Sequence, residues 1–240
     1  MDNHPQIWVL AAGVFFGFLT QTVVAFAAGL VAFPFLLTQY TLPQAIAFMS
    51  PYYVVFSAVL IYKNRKDVDW QVWKELALGV CLGLIVGLVV LKYANPVWLE
   101  KFLGAFLVCY SLYEWRNKKN IFIPKRLFQF FGFLGGVMSG IFTSGSSVLG
   151  PLVRTRIKNG VIMRATFLAI FGITNFIRFP AMFFGSLITR DILIQSLIVS
   201  PVFVLAVICG HIIYKYINEK MLAQLVLIFF IASGVFLLLK

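Results

Sequence analysis

The stretch Phe142-Thr-Ser-Gly-Ser-Ser-Val-Leu-Gly-Pro151 is polar and glycine-bearing at the centre of an otherwise apolar run, residues 127–152. A second stretch, Ala25-Phe-Ala-Ala-Gly-Leu-Val-Ala-Phe-Pro34, reaches its proline at the same spacing inside the run 7–37. That earlier run is 31 residues long. As one straight helix it would measure about 46 Å at 1.5 Å per residue, against a hydrocarbon core of about 30 Å. Both runs therefore read as helices that break partway and return, and that reading decides the fold.

The remaining apolar runs are 44–62, 76–91, 98–115, 161–188, 192–214 and 221–239. The 240 residues are 61% hydrophobic and 12% charged, where a soluble domain carries about 25% charged residues. Mean hydropathy is +0.95. Runs of this length identify an all-α integral membrane protein, since outer-membrane strands would show short alternating segments instead. Trp8, Trp70, Trp73, Trp98 and Trp115 fall near run ends, as interfacial aromatics do. Cys81, Cys109 and Cys209 are far apart, each within an apolar run, and read as small buried hydrophobes.

The net charge of +12 arises from loops beside apolar runs, which favours membrane topology over nucleic-acid binding. No lysine or arginine occurs before Lys63. If all eight runs cross the bilayer, the basic residues divide eleven to eight, Arg178 apart. If the two broken runs are re-entrant hairpins, Lys92, Lys101, Arg190 and Lys240 lie on one side and the other fifteen, again without Arg178, lie opposite. The positive-inside rule selects the hairpins. Six full spans and two hairpins follow, with the basic loops in the cytoplasm and both termini on the outer, periplasmic side of an inner (plasma) membrane. The N-terminus lacks the basic n-region of a cleavable signal.

The two halves resemble each other. Gly13, Gly17, Gln21 and Ala25 are spaced as Gly132, Gly136, Gly140 and Ser144, and Tyr93-Ala-Asn95 with Leu99 matches Tyr216-Ile-Asn218 with Leu222. The organisation is a first repeat (1–117), a basic cytoplasmic linker (118–126) and a second repeat (127–240). Each repeat has three spans, an odd number, so the repeats are inverted. Inverted repeats are frequent in secondary transporters, whose sites lie where helices break near the midplane.

Helix ends inside a membrane leave backbone N–H groups free and favour anions. Thr143, Ser144, Gly145, Ser146 and Ser147 would bind a small anion through backbone and hydroxyl donors, with interhelical packing as the alternative reading. Gln21, Ala27, Ala28 and Gly29 would shape the opposite wall. Arg178 lies deep in its run with Asn175 one turn before it, so the pair offers a charge and an amide. Alternatively Arg178 snorkels to the interface, with Asp191 as its partner. His211 is a candidate proton carrier, or simply bonds a neighbour. Gly79, Gly83 and Gly87 read as a packing seam. Neither a Walker A sequence, a G-x-S-x-G elbow nor a metal-ligating cluster occurs, so an enzyme, a metal and a cofactor are not expected.

The two proline-ended stretches resemble the TauE/SafE sulfite-exporter family, whose members carry a segment close to G-x-G-G-G-x-x-x-x-P once per half. Small residues fill most of its glycine positions here, with Gly29 kept in the first copy and Gly145 in the second. The resemblance implies export, or sometimes uptake, of sulfite, sulfoacetate or related organosulfur and carboxylate anions. A carrier working by alternating access is the expectation, in contact with lipid and a small anion. An anion channel or a non-transporting scaffold of the same fold is the alternative, and a homodimer is left open.

Overall fold

The computed structural model of the chain describes residues 4–24, 28–116, 125–216 and 219–239. Every regular element among them is an α-helix: α1 (His4–Val24), α2 (Ala28–Leu36), α3 (Leu42–Asn64), α4 (Trp70–Tyr93), α5 (Pro96–Arg116), α6 (Lys125–Phe142), α7 (Ser146–Arg156), α8 (Gly160–Phe184), α9 (Arg190–Tyr214) and α10 (Glu219–Leu239). The order long, short, long, long, long therefore occurs twice.

Both over-long runs are divided. The first gives α1 and the 9-residue α2, and the second gives α6 and the 11-residue α7. In each pair the short helix folds back along the long one. Gly17 faces the Ala28 carbonyl and the Ala32 side chain, Gly13 faces Leu36, and the Tyr40 hydroxyl donates to the Gln6 carbonyl at 3.3 Å. The chain thus returns to the end where α1 began. In the second pair Gly145 meets Ser139 and Gly135 meets Leu149, while the Arg156 guanidinium lies 4.7 Å over the Phe128 ring. Small residues permit this return, because only they let two backbones approach so closely.

Pro34 and Pro151 are interior, and α2 and α7 run on to Leu36 and Arg156. Each sits past the first turn, so it removes the helical N–H that would bond four residues back, yet the helix resumes.

The chain forms two compact units. One is Met1–Met49, Ala94–Lys118 and Thr189–Lys240; the other is Ser50–Tyr93 and Lys119–Ile188. In the first, α1 packs on α9, with Gly210 against Thr22 and Phe18 edge-on to Phe203. There α5 packs on α10, Gly104 and Gly234 each facing the other's carbonyl. In the second, α4 lies along α6, and Gly79, Gly83 and Gly87 abut the backbone of α6 as their spacing suggested. Each unit draws on both halves of the sequence, since α1 pairs with α9 and α6 with α4.

Trp8 and Trp98 lie near the starts of α1 and α5 and are exposed. None of the three cysteines is buried, contrary to expectation: Cys81 and Cys209 are half-buried and Cys109 is exposed.

Candidate functional site

The breaks put polar groups where apolar ones would otherwise lie. In the second unit α6 stops at Phe142, and Thr143 takes a left-handed conformation, φ 55°. A β-branched residue there is strained, by about 1–3 kcal/mol. Its amide still donates to the Ser139 carbonyl at 2.9 Å, and its Oγ1 lies 3.4 Å from the Tyr53 hydroxyl. The chain then turns through Ser144 and Gly145, both buried, into α7. Gly145 is the N-cap residue of α7 and has no side chain to cap it.

Against this turn lies Arg178 of α8, only 2% exposed. One guanidinium nitrogen, Nη1, donates to Asn175 Oδ1 at 2.7 Å. Nη2 donates to the Ser139 carbonyl and to Ser139 Oγ, the latter at 2.9 Å. Nε is buried without a partner. Asn175 in turn donates through Nδ2 to Ser57 Oγ at 2.9 Å. All of these acceptors are neutral, so among the described residues the guanidinium has no carboxylate beside it. Two consequences follow. A cation on a carbonyl of the last turn of α6 complements that helix's negative end. A charge buried among neutral partners retains a strong attraction for an anion.

Of the residues singled out in the sequence, Thr143, Ser144, Gly145, Asn175 and Arg178 belong to this unit, and Ser139 ties the Arg178–Asn175 pair to the turn. Ser146 and Ser147 begin α7, and their side chains lie outside the described residues, as does Ala27. Gln21, Ala28 and Gly29 belong to the first unit, all buried. There Gln21 Oε1 accepts from the Ala28 amide at 2.9 Å, capping the start of α2. The two breaks therefore differ: the first is capped by a side chain and the second is not. Gln21→Leu is expected to lower stability by about 1–2 kcal/mol through loss of that cap, read as a fall in the melting temperature of the purified protein. His211 is exposed in the last turn of α9.

Three site residues escaped the sequence reading: Ser139, Tyr53 and Ser57. Ser50, Tyr53 and Ser57 surround Pro51 in the middle of an apolar run, and polar side chains at such depth are the signal that could have found them.

Among the described residues, five helices are long and apolar enough to cross a bilayer. With polar side chains buried and every described regular element a helix, they define a multi-pass membrane protein. The profile of the sulfite exporter TauE/SafE family matches residues 9–237, and the chain belongs to that family. It is thereby a membrane transporter of the sulfite- and anion-exporter type. No curated protein and no solved structure matches it.

Proposed function

We propose that the protein is an inner-membrane carrier that exports a small oxyanion, such as sulfite, an organosulfonate or a related carboxylate, by alternating access. The observation that carries this reading is the buried Arg178, held by neutral acceptors beside the uncapped start of α7. Ser144, Gly145, Ser146, Ser147 and Thr143 supply hydroxyl and amide donors around the same turn, and Asn175 orients the guanidinium. Gln21, Ala27, Ala28 and Gly29 form the corresponding element of the other repeat. An inside-negative potential assists anion exit by about 2.3 kcal/mol per charge per 100 mV, so export needs no proton and His211 is dispensable.

Both helical pairs act as re-entrant hairpins of an inverted repeat. The closeness of Tyr40 to Gln6 and of Arg156 to Phe128 supports this, because each short helix brings the chain back to its starting end. Ser139 lies about 21 Å along α6 from Lys125 at 1.5 Å per residue, deeper than the middle of a core of about 30 Å. The mouth of the second hairpin carries Arg154, Arg156 and Lys158, whereas Thr38, Gln39, Tyr40 and Thr41 at the first are uncharged. The positive-inside rule then puts the second mouth in the cytoplasm and the first outside.

Labelling tests the topology. On a background without Cys81, Cys109 and Cys209, Gln39→Cys and Asn3→Cys should react with an impermeant maleimide from outside, and Lys158→Cys only after the membrane is opened. Protection of Gln39→Cys from the outside reagent would restore unbroken spans. In proteoliposomes, sulfite flux should saturate with concentration; a linear flux would indicate a channel instead.

A further inference from the structure

We infer that the site beside Arg178 accepts singly charged oxyanions and turns away doubly charged ones, so that sulfite is carried as hydrogensulfite. The inference rests on the anion-carrier reading above and names the substrate's charge.

At the tip of the second hairpin the positive charges can be counted. A helix N-terminus is equivalent to about +0.5 charge and a C-terminus to about −0.5. The C-terminus of α6 and the N-terminus of the 11-residue α7 meet at Thr143–Gly145, so their fields largely cancel. What remains is the single guanidinium of Arg178. It is 2% exposed, its acceptors are Asn175 and Ser139, and Nε has none. One negative charge brings this turn to neutrality. A second would stay buried and unpaired, which costs far more than hydroxyl or amide donors return.

Among the described residues of this unit, the other cations lie far along their helices. On α8 the next is Arg164, fourteen positions away, or about 21 Å along the helix. On α7 the first is Arg154, eight positions from Ser146, or about 12 Å. On α6 only Lys125 and Arg126 are basic, at its start. On α3 the basic residue is Lys63, in its last turn, and Tyr53 lies beside Thr143. On α4 the basic residues are Lys74, five residues into the helix, and Lys92 in its last turn, and the other ionisable side chains are Glu75, Cys81 and Tyr93. Among the described residues Arg178 is the buried positive charge, and no second one faces the site.

Three substrates separate the charge states. Methanesulfonate carries one charge and sulfate two throughout the range from about pH 6 to 8.5, whereas the second ionisation of sulfurous acid falls near neutrality. Flux into proteoliposomes, with equal pH on both sides and the potential clamped, should give methanesulfonate a nearly pH-independent KM. Above neutrality the apparent KM for total sulfite should rise about tenfold per pH unit, as hydrogensulfite is depleted. Sulfate should need about a hundredfold higher concentration, or not move. Any titration of the protein itself appears with methanesulfonate and is divided out. A flat sulfite KM, or sulfate transported as readily as methanesulfonate, would overturn the inference and leave the carrier reading standing. Failure of the wild-type protein to move or bind any of the three would overturn both.

Discussion

Asn175→Asp is expected to abolish anion binding and transport while raising thermal stability. The substitution is nearly isosteric and leaves an oxygen about where Oδ1 stands, 2.7 Å from Arg178 Nη1. That oxygen now belongs to a carboxylate, so a neutral hydrogen bond becomes a buried ion pair. The Ser57 hydroxyl, which accepts from Nδ2 at 2.9 Å in the wild type, can rotate to donate to the new oxygen, so no polar group is orphaned. The folded state gains an opposite charge for a cation that otherwise has neutral partners. An incoming anion meets a neutral pair where it would have met a guanidinium. At 4 Å and an effective dielectric of about 20, the lost attraction is about 4 kcal/mol, or roughly a thousandfold in affinity.

Arg178→Gln should also lose transport, but with the opposite effect on stability. It removes the charge and also the bonds that hold Ser139 at the end of α6. Thermal melts of both variants, with methanesulfonate binding measured by ligand-induced shift, separate a structural from an electrostatic role for the arginine. If Asn175→Asp bound the anion within about threefold of wild type, the charge of Arg178 would not be what holds it, and the proposed function would fall.

The sequence carried the site only as far as one segment can describe itself. The polar centre at Thr143–Ser147 announced the second break because serine, glycine and threonine are costly in lipid unless the backbone there needs them. The pairing of Arg178 with Asn175 is legible because three positions along a helix share a face. Glycines at 79, 83 and 87 pointed to a seam for the same periodic reason. What stayed hidden were partners contributed by other segments. Nothing local to Ser139 says that its carbonyl receives Arg178, or that Ser57 steadies Asn175. Nor did the two halves reveal that α1 would pack on α9 and α6 on α4, since that exchange is set by packing between runs of similar hydropathy. The Gln21 amide oxygen also caps α2; that role depends on a turn whose geometry the residues alone do not fix.

Gly136→Ala, a change of one methyl group, is expected to prevent the second unit from assembling. A Cβ at Gly136 would stand 2.2 Å from the Val80 carbonyl oxygen and 2.9 Å from its carbon. The reverse contact is as severe, with a Cβ at Gly83 standing 2.0 Å from the Phe133 carbonyl oxygen. These neighbours are backbone, so no rotamer change relieves them, and the helices must move apart. In lipid that separation is not opposed by a hydrophobic force, because the surrounding chains are as apolar as the helix faces; close packing itself holds such helices together. Overpacking in a soluble core costs about 1–3 kcal/mol, and here the displaced helix is α6, whose far end carries Ser139 and the turn at Thr143. Shifting α6 off α4 therefore weakens the grip of Arg178 as well. Folded, monodisperse protein should be lost for Gly136→Ala and for Gly83→Ala, as judged by size-exclusion chromatography in detergent. Gly160→Ala is the control, since a Cβ at Gly160 meets nothing within 4 Å and should leave both the elution profile and the melting temperature near wild type. A monodisperse Gly136→Ala variant with wild-type stability would show that α4 and α6 do not approach as closely as their facing glycines require.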